Sequence, residues 1–225
     1  MPVRRLWFPI LLGVAGVAVL MGLGLWQLGR MAQKEALLAR IEAQIGAEPV
    51  ELPASPDPAE DQYRPVTVTG ALGGEELAVL TSLKGEGPGY RVVSALTSAD
   101  RRVLVDLGFV PEEAKDLSRT AERVTVMGNL MWPQETDGWT PAPDEGRGIW
   151  FARDVGAMAE RLGTEPVMVV AREVEGAELG TTPVPVDASG VPNDHYEYAV
   201  TWFGLAAVWA VMSLALIARV RRERA

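Results

Sequence analysis

Two long uncharged stretches, residues 6–29 and residues 198–218, dominate the hydrophobic pattern of the chain. About 20 consecutive apolar residues are enough to cross a bilayer as a helix, so each stretch predicts a transmembrane helix. Because Arg4 and Arg5 precede the first stretch, a cleaved signal peptide is the alternative interpretation. A signal peptide has a hydrophobic region of only about 7–15 residues, and residues 26–30 are not a small-residue cleavage site. We therefore expect an uncleaved anchor.

The first helix is predicted to continue past this stretch over residues 31–45, where Leu37, Leu38, Ile41 and Ile45 recur at helical spacing. Residues 48–62 contain four prolines among acidic residues, which indicates a linker or an irregular loop.

Farther along the chain, the pattern changes to the alternation that is typical of β-strands. Residues 103–105 form a continuous apolar run, which favours a strand that is buried on both faces. Residues 154–162 predict a helix that Asp154 caps and that ends before Gly163. The six predicted strands are residues 64–70, 77–83, 90–96, 103–105, 124–128 and 166–174. The expected fold is α+β: two transmembrane helices that flank a mainly antiparallel β domain with one short helix. Residues 181–192 would lead back to the membrane.

Arginines at both ends of the chain predict its orientation. Arg4 and Arg5 precede the first predicted span, and four more follow the second: Arg219, Arg221, Arg222 and Arg224. Short flanks rich in Lys and Arg remain in the cytoplasm, so we expect both termini there and the middle domain in a periplasm or an equivalent space. Arg30 and Lys34 oppose this orientation locally, but the C-terminal arginines outweigh them. The predicted segments are 1–5 (cytoplasmic), 6–29 (transmembrane), 30–197 (extracytoplasmic), 198–218 (transmembrane) and 219–225 (cytoplasmic).

The composition excludes several classes of protein. The net charge of −9 argues against a nucleic-acid-binding protein, which would carry a basic surface. With no cysteine and one histidine, the chain has no disulfide, no thiolate chemistry and no metal site with two histidines. It also lacks the glycine-rich phosphate loop and the Gly-x-Ser-x-Gly nucleophile motif. We therefore do not expect an enzyme. Trp132, Trp139 and Trp150 could line a ligand groove, but aromatic residues in a small β domain favour the core.

The two predicted spans run in opposite directions, so the C-terminal end of the first and the N-terminal end of the second meet at the outer membrane surface. These two ends carry residues that are suited to bind a porphyrin. The imidazole of the single histidine would bind iron, the aromatic rings would pack on the macrocycle, and the cations would pair with its propionates. The first span contributes Trp26, Gln27, Arg30 and Lys34, of which residues 26, 30 and 34 share a helix face. The second span contributes His195, Tyr198 and Trp202, whose spacing also places them on one face. The alternative is an ordinary membrane interface, where Trp and Tyr are common and a histidine needs no ligand.

Small residues at a four-residue spacing occur in both spans, Ala18 with Gly22 and Ala206 with Ala210. Such pairs let helices approach closely in a membrane, so we expect the two spans to pack at these positions.

Residues 24–30, Gly-Leu-Trp-Gln-Leu-Gly-Arg, together with Lys34, resemble the first-span signature of the Surfeit locus protein family. Residues 193–203, Asn-Asp-His-Tyr-Glu-Tyr-Ala-Val-Thr-Trp-Phe, resemble the second-span signature of that family. Residues 65–70, 87–90 and 103–111 resemble its internal blocks in the right order. The resemblance thus covers nearly the whole chain.

The resemblance implies a biogenesis factor of cytochrome c oxidase in the bacterial inner membrane. Such a factor handles haem a during its insertion into the catalytic subunit, and it works beside the haem a synthesis machinery. The signature histidine, His195 here, is the haem a ligand proposed for bacterial members. The chain departs from the family pattern at four positions: Asp194 stands where Asn is frequent, Tyr196 replaces Leu, and Leu107 and Phe109 replace Arg and Trp. A haem-free accessory subunit of a terminal oxidase and a two-span periplasmic adaptor remain alternatives.

Overall fold

The computed structural model describes residues 7–187 and 193–222. Arg4, Arg5 and Arg224 of the predicted flanks, and residues 188–192 of the predicted return to the membrane, lie outside the described residues. The chain divides into two compact units, one formed by residues 1–40 with 188–225 and one formed by residues 41–187.

The first unit is a pair of long helices, α1 (Trp7–Ile45) and α4 (His195–Arg222), although the last turn of α1 belongs to the second unit. Both helices are long enough and apolar enough to cross a membrane. The predicted extension of the first helix over residues 31–45 is confirmed, because α1 runs without a break to Ile45.

Glycines on α1 let the two helices approach closely. A Cβ atom added at Gly16 would lie 2.2 Å from Nε1 of Trp209, and one added at Gly24 would lie 2.4 Å from a ring carbon of Phe203. A Cβ at Gly13 would likewise meet Ser213, at 2.9 Å. Contact positions that rise along α1 fall along α4, so the helices are antiparallel.

The predicted packing positions are partly wrong. A Cβ at Gly22 would meet no atom within 4 Å, and Ala18 is exposed. Ala206 is buried, as expected, and Ala210 is half-buried. Residues 13, 16 and 24 lie on the face of α1 that packs against α4, whereas residue 22 lies on another face of α1. Spacing of small residues alone does not distinguish these faces.

The second unit is built around one mixed sheet. Its strands are β1 (Val50–Glu51), β2 (Pro65–Leu83), β3 (Gly87–Ser98), β4 (Arg101–Pro111), β5 (Ala121–Leu130), β6 (Ile149–Trp150) and β7 (Met168–Glu175). Its helices are α2 (Pro58–Asp61) and α3 (Val155–Leu162), with a 3-10 turn at Glu112–Ala114. The expected single short helix is therefore joined by a second, and β1 and α2 both lie in the segment predicted to be irregular.

The five long strands close into a barrel. Strand β2 pairs with β5 through its first half and with β3 through its second half. The order then runs β3, β4, β7 and β5, so the pairing returns to β2. Three antiparallel strands followed by one that returns beside the first make a Greek key. The domain is not purely antiparallel, because β4 with β7, β1 with β2 and β2 with β6 are parallel pairs.

The predicted strands 64–70 and 77–83 are one continuous strand. In place of a turn between them at Gly73 and Gly74, the structure has a β-bulge between Leu72 and Glu76, with φ of +97° at Gly74. A bulge of this kind needs a glycine with positive φ, as a tight turn would. The bulge bends the long strand, which can then pair with two different neighbours.

Two apolar layers cover the two faces of the sheet. Val103 and Val105 belong to the interior of the barrel, while Leu104 packs outward in the layer that contains α3. The prediction of a strand buried on both faces is thus confirmed. The predicted helix is also confirmed: the Asp154 side chain accepts a hydrogen bond from the Ala157 N–H at its start, and Gly163 ends it with φ of +62°.

The three tryptophans of the second unit differ in burial. Trp150 is buried and Trp132 packs against both layers, as expected for core residues. The expectation is wrong for Trp139, which is 93% exposed.

Candidate functional site

A hydrogen bond joins the single histidine to the one amide side chain within the first apolar stretch. Nδ1 of His195 lies 2.8 Å from Oε1 of Gln27, and only 9% of Gln27 is exposed. A carboxamide oxygen can only accept, so Nδ1 carries the proton and donates it. The lone pair of the neutral imidazole then lies on Nε2, which is the atom able to bind a metal.

The start of α4 positions the histidine. His195 is the first residue of the helix, and the Tyr198 N–H donates to the Asp194 carbonyl at 3.2 Å. Glu197 places a negative charge in the first turn, where it interacts favourably with the helix dipole. Ala199, one turn after His195, is 1% exposed and keeps this end of α4 packed.

Gln27 lies on the face of α1 that packs against α4. It follows Gly24 by three residues, and Gly24 lies against Phe203. The close contact at Gly24 therefore keeps the helices near enough for the Gln27 side chain to reach His195. A buried carbonyl oxygen without a partner would be costly, so this hydrogen bond also satisfies Oε1 of Gln27.

The other predicted site residues differ in how far they are exposed. Trp26 and Tyr198 are each 57% exposed, whereas Trp202 and Lys34 are half-buried. Nη1 of Arg30 donates to Oε1 of Gln33 at 3.1 Å on an exposed surface. Adjacent helical residues point about 100° apart, so Trp26 lies beside the face on which Gln27 meets His195. The roles of these residues toward a ligand remain predictions.

The sequence places Gln27 at this end of the first span, but its role as the partner of His195 was missed. The signal for it is its position: Gln27 is the most polar residue of an otherwise apolar stretch, where a polar side chain faces a partner or a cavity. Phe203 and Gly24 were also missed, because their contribution depends on the register between the helices.

The second unit contains a separate group of buried charges. The Asp106 side chain is fully buried and accepts from Nε of Arg91 at 2.8 Å, Nη1 of Arg153 at 3.0 Å and the Gly108 N–H at 3.1 Å. Arg153 also pairs with Glu135. Burial raises the pKa of Glu135, but the Arg153 guanidinium lowers it by more than burial raises it. The pKa of Glu135 therefore lies below its ordinary value. Burial likewise lowers the pKa of Arg153, and its two carboxylate partners raise it overall.

We call the four charged residues of this group the Asp106 cluster: Asp106, Arg91, Arg153 and Glu135. The cluster fits a structural role because each charge has a partner of opposite sign. Among residues 7–187 and 193–222, no group of three or more His, Asp or Glu residues could hold a metal ion. His195 is the residue that the sequence predicts as a ligand for a metal-containing molecule, and this role stays a prediction.

Comparisons with known proteins agree with the sequence signatures. The SURF1 family matches residues 14–207. Surfeit locus protein 1 of Rattus norvegicus is 30% identical over 218 residues, which span 84% of this chain and 69% of that protein. A SURF1-like protein of Monosiga brevicollis is 31% identical over 214 residues, covering 86% of this chain and 82% of that protein.

A bacterial relative matches over more of both chains. The SURF1-like protein of Rickettsia conorii is 28% identical over 217 residues, which span 92% of this chain and 88% of its own. The family match includes Gln27 and His195 and extends through the barrel between them. The resemblance found in the sequence is confirmed, and the chain belongs to the SURF1 family.

Proposed function

We propose that this chain is a cytochrome c oxidase biogenesis factor that binds haem a at His195 while the haem is inserted into the oxidase catalytic subunit. Membership of the SURF1 family supports the role in oxidase assembly. In this role haem a is cargo, because it passes on to the catalytic subunit. The haem a synthesis machinery would supply it.

The hydrogen bond between His195 and Gln27 carries the proposal. Histidines that bind metals donate their second ring N–H to an acceptor, which fixes the ring orientation and the tautomer. Here Gln27 accepts from Nδ1 at 2.8 Å, so Nε2 is the nitrogen that would bind the haem iron. The iron bond has no other candidate imidazole in the chain, because the sequence contains one histidine.

The surrounding residues fit a porphyrin cargo. Trp26 and Tyr198 leave more than half of their surfaces accessible, and such rings can stack on a macrocycle. Arg30 and Lys34 follow Trp26 on α1 and would pair with the haem propionates. Trp202 would add apolar contact one turn after Tyr198.

We also propose a location in the bacterial inner membrane, which the two long apolar helices and the bacterial relative support. We place α1 and α4 across the bilayer, with the barrel in the periplasm and both termini in the cytoplasm. Arg219, Arg221 and Arg222 at the end of α4 support this orientation, because short arginine-rich flanks remain in the cytoplasm. His195 would then lie at the periplasmic surface of the membrane.

Complementation of a deletion strain tests the proposed function. Without the factor, membranes should contain less active oxidase and less haem a for each catalytic subunit. The wild-type gene and a control variant, Val211→Ala at an exposed position of α4, should restore both quantities. His195→Ala should accumulate in the membrane and restore neither fully.

Two outcomes would contradict the proposal. Normal oxidase activity and haem content in the deletion strain would exclude the biogenesis role and favour an adaptor. Stoichiometric recovery of the chain with mature, fully assembled oxidase would favour an accessory subunit instead.

A further inference from the structure

One tryptophan is held almost entirely in solvent at the tip of a long loop. Residues 131–148 connect β5 to β6, and Trp139 in the middle of this segment is 93% exposed. Loops longer than about 12–15 residues without secondary structure are uncommon in compact domains and are often functional. Pro141, Ala142 and Pro143, which follow Trp139, are also exposed, so the apolar surface continues beyond the ring.

Hydrogen bonds fix the turn that carries Trp139. The Trp139 N–H donates to Oδ1 of Asp137 at 2.8 Å, and the Asp137 N–H donates to Oγ1 of Thr140 at 2.9 Å. Oγ1 of Thr140 donates in turn to Oδ1 of Asp137 at 3.0 Å. The turn is therefore ordered before any partner binds, which lowers the entropy cost of binding.

Several hydrogen bonds and an ion pair tie the base of the loop to the rest of its unit. Nε1 of Trp132 donates to the Pro166 carbonyl at 2.9 Å, and Glu135 pairs with Arg153 of the Asp106 cluster. Asp144 and Ile149 exchange two backbone hydrogen bonds at 2.8 and 3.1 Å. These contacts hold both arms of the loop while its tip projects away from the core.

Charge around the tip is acidic. Asp137, Asp144 and Glu145 lie in the exposed part of the loop, and Arg147, its single basic residue, pairs with Asp144 at 3.8 Å. Glu145 and Glu160 line a hollow of about 450 Å³ beside the loop, and the one basic residue of its lining, Arg161, pairs with Glu75. An anionic lipid surface would be repelled by these carboxylates, whereas lysine or arginine side chains of a protein would be attracted.

From these observations we propose that residues 137–145 are a docking surface for a protein partner. The partner would offer an apolar pocket to Trp139 and a basic rim to Asp137, Asp144 and Glu145. Tryptophan anchors inserted into a pocket dominate the binding energy of many interfaces. The choice of partner rests on the proposed function, which makes the oxidase catalytic subunit the protein to test.

Binding is measured between the full-length chain in nanodiscs and purified catalytic subunit from cells that lack the factor. Trp139→Ala should raise the Kd at least tenfold, as expected for a central anchor. Glu145→Lys should slow association and reduce its dependence on salt. Leu117→Ala, a control at another exposed apolar residue, should leave the Kd unchanged.

The outcomes separate this proposal from the proposed function. If wild type binds the subunit and Trp139→Ala binds equally well, the docking surface is wrong while the biogenesis role stands. If wild type does not bind the subunit, the proposed partner and this surface assignment are both wrong.

A second measurement separates a protein partner from a membrane surface. The chain contains no cysteine, so Trp139→Cys provides a single site for an environment-sensitive dye. The dye should report burial on addition of the catalytic subunit and no change with vesicles of phosphatidylethanolamine and phosphatidylglycerol. Burial by the vesicles alone would overturn the proposal in favour of membrane insertion.

Discussion

At the scale of single residues, Gln27 determines what His195 can do. Its amide is buried between two apolar helices, where an unsatisfied polar group would be costly. The hydrogen bond that Oε1 accepts from Nδ1 satisfies this oxygen and also fixes the imidazole tautomer. This hydrogen bond therefore has two effects. It joins α1 to α4, and it orients Nε2 of His195, the potential ligand atom.

Replacing Gln27 should weaken haem binding without removing the ligand. Gln27→Leu removes the acceptor of the Nδ1 proton, and loss of such an outer partner typically lowers affinity about 10–100-fold. Gln27→Glu is the matched control, because it keeps an oxygen acceptor at the same reach. Haem occupancy of the purified variants measures the effect. Equal occupancy in Gln27→Leu and wild type would show that the hydrogen bond has no part in binding.

Two glycines of α1 offer a second residue-scale test. A methyl group at Gly24 would lie 2.4 Å from the Phe203 ring, so Gly24→Ala should separate or distort the helix pair. Overpacking of this kind costs about 1–3 kcal/mol. Gly22→Ala is the control, since a Cβ there meets no atom within 4 Å. Thermal unfolding in detergent should show a lower Tm for Gly24→Ala alone, and equal Tm values would contradict this packing.

At the scale of elements, the loop over residues 131–148 links the stability of the barrel unit to pH. The pKa of Glu135 is lowered in the folded state, from an ordinary value of 4.5, by its contacts with Arg153. A lowered pKa contributes stability above the unfolded value, and this contribution is lost as pH falls through the folded value.

We therefore expect wild type to lose Tm as the pH falls below about 4.5, and Glu135→Gln to lose less over the same interval. Glu165 should add a parallel contribution, because hydrogen bonding to Arg101 also lowers its pKa. Unfolding scans of both proteins between about pH 7 and about pH 3 measure the difference. Identical pH dependence would mean that the Glu135 pair does not stabilise the fold.

Elements whose signals are local could be predicted from the sequence. Asp154 and Gly163 bound α3 as expected, because a cap and a left-handed glycine act within one turn. The bulge at Gly74 could not be distinguished from a turn, since both need the same backbone conformation. Closure of the barrel through β2 and β5 depends on pairing between distant segments, which periodicity does not reveal.

The candidate site was predictable to the same extent. The spacing of His195, Tyr198 and Trp202 identified one end of α4, and His195 does lie at the first residue of that helix. The partner of His195 depends on the rotation of α1 about its axis. The glycines at 13, 16 and 24 determine that rotation by allowing contact with Ser213, Trp209 and Phe203. A spacing rule applied to one helix cannot supply it.

At the scale of the whole molecule, the proposed function requires one orientation in the membrane. The arginines at the end of α4 predict that fusions of a periplasm-active reporter after Arg222 are inactive, and that fusions at Gly87 are active. Alkaline phosphatase fusions at both positions measure this orientation, with a cytoplasm-active reporter as the complementary control. Phosphatase activity after Arg222 would place His195 on the wrong side of the membrane for the proposed role.

The central claim is that His195 binds the iron of haem a. The most direct test is the absorption spectrum of the full-length chain purified after co-expression with haem a synthesis. Wild type should show a low-spin haem a spectrum, and His195→Ala should lose it while the protein remains in the membrane. Weak residual porphyrin binding through Trp26, Tyr198 and Trp202 would agree with the account. An unchanged spectrum at unchanged haem stoichiometry in His195→Ala would contradict it.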